Sequence, residues 1–431
     1  MKILKYPDKE KWESILRRPV QDNSVLDISV REILSDVKEK GDDALRKYNL
    51  AFDGYKSSKL LVRAEEIMEA GKLVSPGLKE AIRIAMHNIE SFHRSQAELP
   101  EKLETTEGVF CWRESRAIEK VGLYIPGGTA PLFSSVLMLA VPALIAGCEE
   151  IIICTPPGPD GKINPAILYS ASVCGVTKIF KTGGAQAIAA MAYGTESVPA
   201  VNKIFGPGNQ YVTRAKELVQ LDGTAIDIPA GPSEVLLIAD KSANPEFIAA
   251  DLLSQAEHGS DSQVLLLSDS EKLIGDTTIA INNQLEKLPR KDIAGKALKN
   301  SMAILLNDIN TCIQLSNLYA PEHLILAISN YKELAGSVKS AGSVFLGSYS
   351  CESAGDYASG TNHTLPTNGY ARSYSGVSLD SYIKKISFQE ISSEGLRNIG
   401  KYIEIMAEAE GLQAHKNAVS IRLKSMQDEA N

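Results

Sequence analysis

Apolar positions recur with helical spacing through the first hundred residues. Val30, Ile33, Leu34 and Val37 fall at i, i+3, i+4 and i+7, the stripe of an amphipathic helix. A second helix is expected after Ser75-Pro76-Gly77, with Leu78, Ile82, Ala85, Ile89 and Phe92 on one face. His87 lies off that stripe and His93 beside Phe92, so both are expected on a solvated or half-buried face. From about residue 118 the pattern changes. Short β-rich runs at 121–125, 151–154, 178–181, 235–238, 264–267, 303–306, 324–328 and 344–346 alternate with helical stretches. Such alternation predicts parallel sheets covered by helices. The Gly/Pro-rich segment Asp227-Ile-Pro-Ala-Gly-Pro-Ser233 divides the region into two halves that could be related folds, and from about residue 378 the pattern reads as helical to Asn431. The expected fold class is α/β: two α/β modules with mainly parallel sheets, flanked by N-terminal helices and a C-terminal helical segment. The expected regions are 1–117, helical, with part packing on the second module; 118–233 and 234–377, the two modules; and 378–431, a helical dimerisation segment.

The modules are Rossmann-like but incomplete, because no GxGxxG follows a strand. Three other glycine-rich turns stand at carboxyl ends of predicted strands: Tyr124-Ile-Pro-Gly-Gly128, Thr182-Gly-Gly-Ala-Gln186 and Phe205-Gly-Pro-Gly-Asn209. Ligands gather at those ends in open α/β sheets, and glycine lets backbone approach a phosphate. The turns suit a dinucleotide, or they serve tight βα connections alone. Four of the six histidines sit in polar segments. Gln255-Ala-Glu-His258 closes a helix that Asn244 can cap and Pro245 can open, with Gln255 and His258 on one face. Pro321-Glu322-His323 places an acid beside an imidazole before a strand. A small-residue loop from Glu352 holds Asp356 and His363, and Glu410-Gly-Leu-Gln-Ala-His415 lies between two C-terminal helices. Any one of these histidines could be a hydrogen-bonded structural residue. Together the imidazoles, carboxylates and amide form a donor set suited to zinc or a neighbouring divalent metal.

Composition narrows the class. Lysine and arginine number 45 against 53 acids, a net charge of −8 with no basic run, which argues against nucleic acid or an anionic membrane as partner. The apolar stretch at 132–146 is too short to span a bilayer. The first residues show no apolar core of signal-peptide length, and six scattered cysteines without CxxC suit a reducing compartment, so a cytoplasmic location is expected.

Read in order, the long segments resemble those of the histidinol dehydrogenase family. They are Val121-Gly-Leu-Tyr-Ile-Pro-Gly-Gly, Gly-Gly-Ala-Gln186, Phe-Gly-Pro-Gly-Asn209, Pro-Ala-Gly-Pro-Ser233-Glu-Val and Asp251-Leu-Leu-Ser-Gln-Ala-Glu-His-Gly259. Pro-Glu-His323, Ser-Ala-Gly-Asp356-Tyr-Ala-Ser-Gly-Thr-Asn-His363 and Ala-His415-Lys-Asn-Ala-Val continue the series, so the resemblance runs over essentially the whole chain. It implies NAD- and zinc-dependent four-electron oxidation of L-histidinol to L-histidine through L-histidinaldehyde, the last step of histidine biosynthesis. It implies that Gln255, His258, Asp356 and His415 hold one zinc per subunit and that Glu322 and His323 form the acid–base pair. Ser233, His363 and Glu410 would contact substrate together with the zinc-side residues and His323, while Tyr124, Gln186 and Asn209 would contact NAD. It further implies a homodimer in which Glu410 and His415 complete the partner's site. A zinc hydrolase without nicotinamide would leave the three glycine turns without a purpose.

Overall fold

The structure is a computed structural model and describes residues 1–18, 24–56, 59–127, 131–229 and 231–428. Gly128 of the first glycine turn and Ala230 of the dividing segment lie outside these. The chain forms two compact units, one of Met1–Gln96 with Ile118–Tyr382 and another of Ala97–Ala117 with Ile383–Asn431.

Among the described residues, fourteen strands follow in chain order. They are β1 Lys2–Lys5, β2 Leu103–Thr106, β3 Val109–Ala117, β4 Lys120–Tyr124, β5 Glu150–Thr155, β6 Lys178–Lys181 and β7 Lys203–Phe205. After them come β8 Ala225–Ile226, β9 Glu234–Ala239, β10 Gln263–Ser268, β11 Met302–Leu305, β12 His323–Ala327, β13 Ser343–Leu346 and β14 Ile383–Ile391. Two sheets of the first unit are wholly parallel. One runs β6-β5-β4-β7-β8, the other β1-β11-β10-β9-β12-β13. Leaving β1 aside, the two share one strand order, in which the first strand of each module lies at the centre and the chain then winds outward on either side. The relatedness suggested by the halves of the sequence is therefore real at the level of topology.

The central strands β9 (EVLLIA) and β10 (QVLLLS) are buried at every position. A sheet covered on both faces calls for such unbroken apolar runs rather than alternation. Val235 and Leu237 face one core with the helix Pro245–Ala256, and Leu236 and Ile238 face another with Trp12 and Leu16. In the first module Val30, Ile33, Leu34 and Val37 cover one face of the sheet, and Ile82, Ala85 and Ile89 the other. Each such buried side chain contributes roughly 1.5–3 kcal/mol. The helix Phe133–Ala146 is buried along most of its length, and among the described residues no helix is long and apolar enough to cross a membrane.

Some elements escape the apolar spacing. Lys2–Lys5 is a strand paired with β11, too short to show a period and mostly exposed as an edge. After the 3-10 turn Leu379–Tyr382, Ile383–Ile391 pairs antiparallel with β3 along its length, and α-helix begins only at Ser393. Its apolar residues Ile383, Ile386, Phe388 and Ile391 are spaced by three, two and three, which matches neither period. His93 is fully buried rather than half-solvated: its Nδ1 lies 2.8 Å from the Ile89 carbonyl and its Nε2 3.4 Å from the Asn362 amide.

Candidate functional site

The acid and imidazole of Pro321-Glu322-His323 are placed by backbone. The helix Ile309–Tyr319 stops at Ala320, whose φ of 55° lies in the left-handed region, and Pro321 then forbids helical continuation. His323 opens β12, between Val235 of β9 and Ser343 of β13. Glu234, first residue of β9, donates its N–H to Glu322 Oε2 (2.8 Å) and offers its carbonyl to His323 Nδ1 (3.2 Å). A proton on Nδ1 makes that second contact a hydrogen bond and leaves Nε2 as the basic atom. Nε2 has no hydrogen-bond partner among the described residues and lies 3.6 Å from Asp356 Oδ1. Burial disfavours charge on this ring, but Glu322, Glu352 and Asp356 outweigh it and hold the imidazole well above its ordinary value.

Next to the pair is a ring of donors. Gln255 is the penultimate residue of the helix Pro245–Ala256, which Asn244 does cap by accepting the Glu246 N–H (2.9 Å). His258 follows just beyond, exposed. The short helix Glu352–Tyr357 presents Glu352 and Asp356 one turn apart. One ligand atom each from His258, Glu352 and Asp356 lies within 4.8 Å of the others. The Gln255 amide faces Glu352: with its nitrogen there it donates to the carboxylate and its oxygen accepts the Glu234 N–H (2.9 Å). Two carboxylates, an imidazole and an amide oxygen fit a divalent metal. Glu352 is almost fully buried, and burial pushes its carboxyl up; Asp356 is held down, against burial, by His323 and the other histidines.

Of the remaining expected residues, His363 is half-buried with Nε2 3.2 Å from Ser135 Oγ of the first module, and desolvation lowers its basicity. Ser233 directly precedes Glu234, and its carbonyl accepts the Gln263 N–H (3.2 Å). Glu410 and His415 belong to the second unit, at the end of the helix Ser393–Ala409 and in the helix Gln413–Asp428, and both are exposed.

The glycine turns gather at the carboxyl ends of the first sheet. The Tyr124 hydroxyl accepts the Gly184 N–H (3.1 Å), and burial pushes this phenol up to about 12. Gln186 is buried, with its carbonyl oxygen unpartnered among the described residues. Asn209 caps the helix Gln210–Leu221 through its side-chain oxygen. Gly206 has φ +126°, and a Cβ there would come within 2.1 Å of the Tyr124 carbonyl. A buried Lys216–Asp227 pair grips its peptide, Asp227 accepting the Gly206 N–H (2.7 Å) and Lys216 donating to its carbonyl (3.0 Å). An unpartnered buried amide, a free phenol proton and helix N-termini fit a dinucleotide. Burial pushes the thiols of Cys148, Cys154, Cys174 and Cys312 up, so none offers a thiolate nucleophile.

Two members of the site were not singled out by sequence reasoning. Glu352 had a signal, its i, i+4 spacing from Asp356. Glu234 had none, because its backbone does the work.

Comparison with known proteins agrees across the chain. The histidinol dehydrogenase family model matches residues 16–423. Histidinol dehydrogenase of Bacteroides thetaiotaomicron is 61% identical over 426 residues, covering 99% of this chain and 100% of that one. That of Escherichia coli K12 is 51% identical, over 98% of this chain and 97% of the relative. The crystal structure of histidinol dehydrogenase from Elizabethkingia anophelis superposes with a TM-score of 0.98 at 58% identity, covering 99% of both chains.

Proposed function

This chain belongs to the histidinol dehydrogenase family, and on that premise we propose that it oxidises L-histidinol to L-histidine through L-histidinaldehyde, consuming two NAD⁺ and one water. The observation that carries the reading is the buried pair Glu322–His323, held by Glu234 beside the donors of Gln255, His258, Glu352 and Asp356.

In its neutral form, which a cation offsetting the carboxylates of Glu352 and Asp356 would favour, His323 takes through Nε2 the proton of the substrate hydroxyl as the adjacent C–H leaves as hydride. The aldehyde then gains water, whose proton passes to Glu322. His323 serves again when the hydrate loses its hydroxyl proton and second hydride, leaving a carboxylate. Tyr124, Gln186 and Asn209 would hold NAD, which would supply the hydride acceptor for each half-reaction. One zinc per subunit is held by Gln255, His258, Asp356 and, from the partner subunit, His415; Glu352 is placed to join or support them. When bound, zinc neutralises the local carboxylates and orients the imidazole and amine of the substrate. Ser233, His363 and the partner's Glu410 contact substrate alongside the metal-side residues. The family's biosynthetic role supports a cytoplasmic location.

The test is stoichiometric: two NADH per histidinol at full conversion is expected, and a yield of one would limit the reaction to the aldehyde. Subunit mixing tests the shared site. In a one-to-one mixture of His323→Ala with His415→Ala, roughly a quarter of wild-type activity is expected, because half the dimers are hybrids with one intact site. No recovery in confirmed hybrids would place each site within one chain.

A further inference from the structure

Arg18 lies just past the short helix Trp12–Ile15, outside the βα alternation of either module. Its side chain is only 16% exposed. Nε and Nη2 fork the Glu234 carboxylate, with Nη2 to Oε2 at 2.8 Å. The same Nη2 donates to the carbonyls of Tyr319 (2.9 Å) and Ala320 (3.4 Å), and the guanidinium lies 3.9 Å over the Tyr319 ring. Glu234 Oε1 also accepts the N–H of Asn368 (3.0 Å). One side chain thus ties the first residue of β9 to the helix end that leads into β12.

Those two segments set the acid–base pair. Glu234 supplies the N–H that holds Glu322 and the carbonyl next to His323 Nδ1. Ala320 stands two residues before Glu322 with φ 55°, a conformation unfavourable for a non-glycine residue and kept only where its surroundings dictate it. Its N–H is held by the Ser316 carbonyl (2.8 Å) and its own carbonyl by Arg18. A buried ion pair is weak evidence for stability, since apolar residues of equal volume often replace one without loss. An apolar side chain cannot hold acceptors on two chain segments in fixed relation; a planar fork can.

We propose that Arg18 is a positioning residue for the reaction: by clamping Glu234 to the Tyr319–Ala320 turn, it holds Glu322 and His323 in register with the substrate. The proposal rests on the reading of Glu322 and His323 as the acid–base pair, so His323→Ala is assayed in parallel. Arg18→Lys keeps the charge and loses the fork; Glu234→Gln keeps the shape and loses the ion pair. Turnover is measured per zinc-loaded subunit, with KM for histidinol, Kd for NAD and zinc content. Each variant is expected to lower kcat about 10- to 100-fold, the scale of an ångström-level misplacement, with KM changed less than about threefold and NAD affinity and zinc content unchanged. The double variant should lose no more than the worse single one, because both break one clamp. Wild-type kcat per zinc-loaded subunit in both variants, including any that yields little folded protein, reduces Arg18 to a stabilising role and overturns the proposal; so do additive losses. If His323→Ala itself turns over normally, the reading of the pair fails first.

Discussion

The two α/β modules share a strand order, and their candidate site residues stand at opposite ends of it. In the first, the carboxyl ends of β4, β6 and β7 lead into glycine turns and helix N-termini, carrying Tyr124, Gln186 and Asn209. In the second, the same ends meet Asp240, Asp269 and Asp308. Asp240 accepts the N–H groups of Ser242 and Ser329 (both 2.8 Å), and Asp308 accepts that of Thr311 (2.7 Å). Backbone donors that would face a phosphate already face carboxylates, and more anions there would be repelled. The working groups of the second module stand instead at the amino ends, where Glu234 opens β9 and His323 opens β12. Amino ends of parallel strands receive helix C-termini: Gln255 and Ala320 both stand at such ends. The helix dipole makes those ends favourable to cations and the opposite ends favourable to anions. One topology thus offers one end suited to a cation and one suited to an anion, and on the proposed function the side chains decide which is used.

If the two ends are separable, damage to one should leave the other intact. The largest effect is expected for His323→Ala: kcat down about 10²- to 10⁴-fold in both hydride transfers, the usual worth of a positioned base, with NAD affinity unaltered by titration calorimetry. Glu322→Gln should spare the first hydride transfer and impair the second, read by single-turnover NADH formation from histidinol and from the aldehyde; equal damage to both would contradict the division of labour. For the metal, His258→Ala should lose zinc on dialysis against a chelator, and Glu352→Gln should weaken zinc about 10- to 100-fold, the scale seen when a supporting carboxylate is lost. Full metal content in His258→Ala would remove that residue from the ligand set.

Smaller effects probe the first module. Gly206→Ala places a methyl against the Tyr124 carbonyl at a φ few L-residues adopt. It should weaken NAD about tenfold while zinc content stays at the wild-type value; loss of zinc would mean the ends are coupled. The least effect is expected from Asp53→Asn. Burial pushes this carboxyl up to about 6, close enough to Tyr124 to act on its hydroxyl, and its Oδ2 finds no partner among the described residues. Because the folded state holds this proton more tightly than the unfolded, wild-type stability should fall as pH rises from about 4 to about 6 and then level off. The asparagine variant should therefore be more stable at pH 8, by under about 1 kcal/mol given solvent screening at this half-buried site, seen as a raised Tm, and match the wild type at pH 4. An equal Tm difference at both pH values would discount the carboxylate.

Much of the site was legible because its residues come in compact motifs: Glu322 beside His323, and Gln255 one helical turn from His258. Glu352 was overlooked although it precedes Asp356 by one turn, since the small-residue segment reads as a loop and the i, i+4 spacing counts only once it is a helix. Arg18 and Glu234 stand 216 residues apart, and nothing in either neighbourhood announces the other.

The chain by itself determined the strand–helix alternation, the cap at Asn244 and the kinds of chemistry available, because periodicity, capping and motif spacing are local properties of a polymer. It also carried the family membership, since long ordered segments are specific without coordinates. Only the tertiary structure decided that both sheets wind in one order, that β1 closes the edge beside β11, and that the donors of one module meet at amino ends while the glycine turns of the other meet at carboxyl ends. Those outcomes depend on pairings across hundreds of residues and on a register in which one backbone unit, Glu234, serves both Glu322 and His323. Such register is set by the packing of whole layers, and no window of sequence contains it.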